Sequence, residues 1–267
     1  MIVAIDSHMH GDILLKLDRD FPARYRDNSI GGIIWSYNEN IHNASDYTIY
    51  WNYLKNIAEE LSEKNSPFFY KIGIHPRTIC QELKNTKKLT TELKRALETH
   101  MKNPKCLGIG EIGLDGEDEI QEKIFIEQLN WCINYLPENK RIGIHTPRKN
   151  KYKITQKILD ILNNYKSLHK QIVIDHVELN TIELVKKINV QIGITLQEGK
   201  STKDDVEEVV NNNLYDINKV MLNSDSGKII SRPYIDFVTG KYLRPEEKAK
   251  LLKHNIISFY NLEEHLS

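Results

Sequence analysis

The chain has 267 residues, of which 37 are basic and 37 acidic, so its formal charge cancels and no overall field draws it to nucleic acid or to a membrane surface. Three cysteines, Cys80, Cys106 and Cys132, are odd in number and lack CxxC spacing, which argues against a disulfide framework and for a reducing, cytoplasmic compartment. No run approaches the ~20 apolar residues of a membrane span, and the opening MIVAI is too short and too soon polar for a signal peptide.

Hydrophobic runs of strand length recur along the chain at about 2–7, 31–36, 68–74, 106–112, 141–145, 171–176, 190–195 and 219–224. Charged, amphipathic stretches lie between them at 53–64, 89–101, 120–136, 154–165, 181–188 and 202–213, with a last one near 245–258. In the stretch 120–136, Ile120, Ile124, Leu129, Ile133 and Leu136 keep helical spacing. Short, continuously apolar strands alternating with helices predict a parallel sheet covered on both faces. Eight such units, in a length close to the ~250 residues typical of the fold, predict a (β/α)8 TIM barrel forming a single domain over 1–267.

Five of the apolar runs stop at a His, Glu or Asp: VAIDSHMH, LGIGEIGLD, IGIHTP, IVIDHV and VMLNSDSG. A buried strand that delivers a coordinating side chain at its C-terminal end is how such a barrel builds an active site. His8 and His10 are two apart and share one side of a strand. Alone, the pair fits either two ligands of one ion or two polar residues ending a strand. Glu111 is a carboxylate in an apolar strand, costly unless a cation or hydrogen bonds compensate; it fits a bridging ligand or a buried ion pair. His145 and His176 end the fifth and sixth runs. Asp225 closes the eighth, which in a barrel lies beside the first. His, His, Glu, His, His, Asp is a donor set for one or two divalent ions, of Zn or Mn type. His75, after the third run, faces the same mouth as a substrate contact or as a turn residue before Pro76. Asp6 and Asp175 precede the ligand histidines and are expected to point away from them.

Between Asn139 and Leu159 stand Lys140, Arg141, Arg148, Lys149, Lys151, Lys153 and Lys157, with no acidic residue. A basic rim beside a metal site suits an anionic substrate such as a phosphodiester, with Arg148 and Lys149 as substrate-binding residues and Tyr152 available to stack on a base. Lys200 and Lys203, after the seventh run, extend the rim. The competing reading is a solvated helix face.

These motifs resemble the TatD family of metal-dependent hydrolases over nearly the whole chain, through HMH (8–10), GIHP (73–76), GEIGLD (110–115), EKIFIEQL (122–129), HTPR (145–148) and SDS (224–226). The resemblance implies that His8, His10, Glu111, His145, His176 and Asp225 hold two divalent ions (Zn, Mn or Mg), with Asp225 and Glu111 as the catalytic carboxylates. It implies a deoxyribonuclease or phosphodiesterase of 3'-5' exonuclease type that uses a metal-activated water on nucleic-acid ends. The alternative is an esterase, amidase or lactonase, including a D-aminoacyl-tRNA deacylase. Typical nuclease members carry HCFSG where this chain has DHVEL, and a TDxPY-like turn where it has SDSGKI. These departures fall in loops that shape a substrate pocket rather than in the ligands. No sequence feature calls for an obligate protein partner.

Overall fold

The computed structural model describes residues 2–63 and 66–266. The eight apolar runs are strands: β1 (Ala4–Met9), β2 (Ile30–Ile34), β3 (Phe68–Ile72), β4 (Cys106–Gly113), β5 (Arg141–His145), β6 (Ile172–Ile174), β7 (Gln191–Thr195) and β8 (Val220–Asn223). All pair in parallel, and neighbours in sequence are neighbours in the sheet from β1 to β8. β8 meets β1 through Asp225 N–H to His8 O at 2.9 Å and His10 N–H to Ser226 O at 2.7 Å. The sheet is thereby a nearly closed (β/α)8 barrel, the TIM-barrel fold read from the pattern.

Each expected helix is present with shifted ends. The stretch 53–64 is the second half of Ala44–Leu61, which begins at an Asn43 capping box; Lys64 lies outside the described residues. The last helix runs as Pro245–Ala249, a π-turn over Lys250–His254, and Asn255–Tyr260. Helices Gly11–Leu17, Phe21–Asp27, Gln81–Thr86 and Arg232–Thr239 were not expected. At six to eight residues each is too short to show a periodicity. Among the described residues no helix is long and apolar enough to cross a membrane.

Two apolar layers hold the barrel. Ala4, Ile34, Phe68, Tyr70, Ile109, Ile144 and Leu222 face outward into the sheet–helix layer. Ile5, Ile33, Trp35, Phe69, Leu107, Val173 and Met221 fill the interior, and Ile256, Phe259 and Tyr260 of the C-terminal helix, with Leu262 just beyond it, plug its base.

In β1 and again in β4 the interior face is reset just before a functional side chain. Between Asp6 and Met9, β1 advances three residues while β2 advances two, from Gly32 to Ile34. Between Ile109 and Ile112, β4 advances three while β5 advances two, from Ile142 to Ile144. One extra residue reverses the side-chain alternation. Met9 consequently packs outside although Ile5 is inside, and His8, His10 and Glu111 turn inward at the mouth. Gly108, at φ 140°, makes the strained β4 backbone possible, since a Cβ there would sit 1.9 Å from the Arg141 carbonyl.

Candidate metal centre

The structure brings His8, His10, Glu111, His145, His176 and Asp225 together at the C-terminal mouth of the barrel. Glu111 divides its carboxylate between two groups of histidines. Oε2 lies 3.5 Å from His8 Nε2 and 4.0 Å from His10 Nε2. Oε1 lies 2.5 Å from His145 Nδ1 and 3.3 Å from His176 Nε2. Asp225 Oδ1 stands 3.2 Å from His10 Nε2 and 3.7 Å from His8 Nε2.

Every one of these rings has its other nitrogen held by the protein. His8 Nδ1 is hydrogen-bonded to Asp175 Oδ2, and His10 Nδ1 is 3.2 Å from the Trp35 carbonyl. His145 Nε2 is 3.0 Å from Asp115 Oδ1. His176 Nδ1 is 2.8 Å from Thr195 Oγ1, whose own hydrogen goes to Asn223 Oδ1 at 2.8 Å. Asn223 Nδ2 in turn donates to Asp175 Oδ1 at 2.7 Å. Such partners fix the tautomer and leave one basic nitrogen per ring facing the carboxylates, as metal-ligating histidines require.

The electrostatics match. Burial would raise Glu111, but His8, His145 and His75 hold its carboxyl well below the usual range. Asp225, opposed by burial, is held down by Lys200 and His176. Burial pulls His8 down, yet the carboxylates of Glu111 and Asp175 outweigh it and push the ring up to about 10. His176, desolvated and beside Lys200, falls to about 4. His8 Nε2 is buried with no hydrogen-bond partner, aimed at two carboxylates. The donor set and this orphaned nitrogen fit a divalent cation. Among the described residues three clusters have the spacing for one: His8, Glu111 and His176; His8, His10 and Asp225; and His75, Glu111 and His145.

His75 is placed differently from the other four. Its Nδ1 accepts the Arg77 N–H at 3.0 Å, so the proton sits on Nε2, buried, unpartnered and 3.7 Å from Glu111 Oε1. Burial holds the ring well below its ordinary pKa. His75 is thus a neutral donor into the site, consistent with a contact to substrate rather than a ligand.

The acidic neighbours divide. Asp6 faces outward as expected, accepting from Tyr25 and from the Ser224 side chain and backbone. Asp175 does not point away: His176 takes a left-handed φ of 57°, which lets both consecutive side chains reach the interior, and Asp175 lies under His8. Asp225 also has a left-handed φ, 45°; strain of this kind in non-glycine residues concentrates at functional sites. Asp115, which sequence reasoning passed over, follows Glu111 by four residues in a chain already marked by GEIGLD.

The basic stretch is dispersed rather than gathered into a rim. Lys140 and Arg141 serve the barrel base, donating to Cys106 O at 2.6 Å and to Phe259 O respectively. Lys151 is buried against Pro147 O and Glu178. Lys153 and Lys157 pair with Glu117 and Glu122, both at 2.7 Å. Tyr152 is exposed outside the cavity lining, and Lys203 lies over the Tyr242 ring. Of the basic residues of that stretch only Arg148 and Lys149 line the cavity above the site, a space of about 730 Å³. Arg77, Lys200, Lys228 and Arg232 join them, against Glu39 and Glu198.

A parallel barrel carrying this histidine–carboxylate cluster at its mouth is a metal-dependent hydrolase. A family model described as TatD related DNase matches residues 5–256, and the chain belongs to the TatD family. It is 31% identical over 224 residues to an uncharacterized metal-dependent hydrolase of Methanocaldococcus jannaschii, covering 81% of this chain and 83% of that protein. A TatD-like protein from Archaeoglobus fulgidus superposes with a TM-score of 0.72 at 23% identity, covering 96% and 99% of the two chains. A TatD homologue from Escherichia coli gives 0.59 at 18% identity, covering 96% and 90%.

Proposed function

We propose that this chain is a two-metal phosphodiesterase that releases nucleotides from nucleic-acid ends. The observation that carries the reading is the wall of cations, Arg77, Arg148, Lys149, Lys228 and Arg232, around a cavity that opens directly over Glu111 and Asp225. A volume of about 730 Å³ is of the size that takes a drug-sized ligand, enough for a terminal nucleotide.

His8, His10 and Asp225 would hold one ion and His145 and His176 the other, with Glu111 shared between them. Bound divalent cations supply Lewis acidity and make water a nucleophile near neutral pH. Asp225, whose carboxylate stands between His10 and Lys200, would orient the attacking water and take its proton. The new bond is oxygen to phosphorus; the bond broken is phosphorus to the leaving sugar oxygen. His75 Nε2–H offers a donor to a substrate oxygen. Arg148 and Lys149 bind the anionic backbone, as charge-assisted donors do.

The test is purified protein supplied with Mn²⁺, Mg²⁺ or Zn²⁺ on end-labelled single-stranded DNA and RNA. Metal-dependent release of nucleotides by the wild type and its loss in Asp225→Asn are expected. No release by the wild type, or equal release by the variant, overturns the reading.

A second reading, a metal-dependent esterase, amidase or lactonase, draws on the apolar side of the same cavity, where Ile13, Ile229, Ile230 and Pro233 stand. Aryl esters and amides tested beside phosphodiesters under one metal condition separate the two.

A further inference from the structure

Lys200 stands apart from the other cations of the cavity. Its side chain is only 5% exposed, and its ammonium is ion-paired to Asp225 Oδ2. The turn that carries it is pinned from several directions. Leu196 pairs with Ser201, and Lys200 N–H reaches Gln197 O at 3.0 Å. Gly199, at φ 75°, supplies the left-handed residue the turn needs. Ser231 Oγ donates to Leu196 O. Gln197 Nε2 donates to the Asp225 carbonyl at 3.0 Å, and Gln197 Oε1 accepts from Arg148 at 2.9 Å. A lysine this well supported is held in place rather than waving at a rim.

Its hydrogen-bonding capacity is not used up. An ammonium carries three donors. One goes to Asp225. His176 Nδ1 is 3.3 Å away but accepts nothing, because its proton is committed to Thr195, whose hydroxyl is committed to Asn223. Lys200 therefore sets a second cation and an open donor beside the candidate metal ligands, in a cavity wall it shares with Arg148. Divalent ions in the same space add positive charge next to it, and an anion with several acceptor oxygens relieves both demands. A neutral ester carbonyl does not.

We infer that Lys200 is the anchor for the substrate's phosphoryl group at the reactive centre, and that it selects a phosphoryl anion over a neutral acyl group. This rests on the anionic-substrate reading above and goes past it by assigning the inner cation.

The experiment loads the full-length protein with Mn²⁺ and measures inorganic phosphate binding by calorimetry, with metal content determined on the same samples. Wild type, Lys200→Met, Lys200→Arg and Lys203→Met are compared, the last removing a lysine outside the cavity. The expected result is a tenfold or greater rise in Kd for Lys200→Met at unchanged metal content, partial recovery in Lys200→Arg, and no change in Lys203→Met. Equal phosphate affinity in wild type and Lys200→Met overturns the inference, as does phosphate loss that merely follows metal loss. Phosphate binding that depends on Lys200 in a protein releasing no nucleotides would instead sink the phosphodiesterase reading and leave the anchor standing.

Discussion

Asp175 holds His8 from below: one carboxylate oxygen takes Nδ1 of the ring while the other receives Asn223 Nδ2 at 2.7 Å. This arrangement keeps the proton of Nδ1 in place and points His8 Nε2, 3.5 Å from Glu111, at the space an ion would fill. In Asp175→Asn, an amide cannot satisfy both neighbours, since either orientation sets two donors face to face. The His8 proton then shifts toward Nε2 and blocks it. Metal affinity is expected to fall by about 10–100-fold, the usual cost of losing such a partner, with the fold intact by circular dichroism. A competitive chelator titration reads this directly. Unchanged affinity would show that Asp175 does not orient His8.

Gly193 on β7 reaches the same network through packing. A Cβ on residue 193 would lie 2.0 Å from Asp175 Oδ1 and 3.0 Å from Asn223 Nδ2. Gly193→Ala must push the carboxylate aside, so a residue with no donor atom of its own should weaken metal binding. Overpacking of this kind typically costs about 1–3 kcal/mol. Urea denaturation and the same chelator titration should move together; loss of stability at constant metal affinity would contradict the coupling.

Metal should also stabilise the folded chain, because the ligands lie on strands from both ends of the sequence. Binding to the native state alone is worth roughly 2.7 kcal/mol at a free metal concentration of 100 Kd. For a chain of this size that corresponds to a rise in Tm of roughly 5–10 °C. Differential scanning calorimetry after EDTA treatment and after Mn²⁺ or Zn²⁺ restoration measures it. Identical transitions would mean that the cluster does not bind these ions.

Away from the centre, His100 gives a pH signature of its own. It is buried between Tyr70, whose hydroxyl is 2.9 Å from Nδ1, and the edge of Trp51. Burial, helped by the charge of Lys55, pushes its pKa down from 6.5 to about 4. A depressed histidine is neutral in the fold, so its contribution is complete above pH 6.5 and is lost as the pH falls toward 4. In urea unfolding of the metal-free protein, the stability of wild type relative to His100→Gln should drop by about 3 kcal/mol between pH 7 and pH 4. A constant difference over that range would show that His100 titrates normally.

Much of the site was legible because its signals are local. An apolar run that stops at His145, or that contains Glu111 between glycines, announces both a strand and its cargo within a few residues. The same holds for the HxH pair of His8 and His10. What local pattern misjudged was direction. Simple alternation sends Asp175 away from His176, and it takes a left-handed turn at His176 to bring both inside. Composition likewise suggested a continuous basic rim from Lys140 to Lys157, whereas burial and ion pairing leave only Arg148 and Lys149 at the cavity.

From the sequence alone came the barrel, the eight strands and the six side chains at their ends, because hydrophobic period and strand-end chemistry are properties of short segments. Only the tertiary structure decided how those side chains are held. The one-residue bulges in β1 and β4 turn His8, His10 and Glu111 inward. Strand register sets Thr195, Asn223 and Asp175 in a chain between His176 and His8, and a pinned turn buries Lys200 against Asp225. Each of these depends on the pairing of strands far apart in sequence, where a shift of a single residue reverses every side chain that follows.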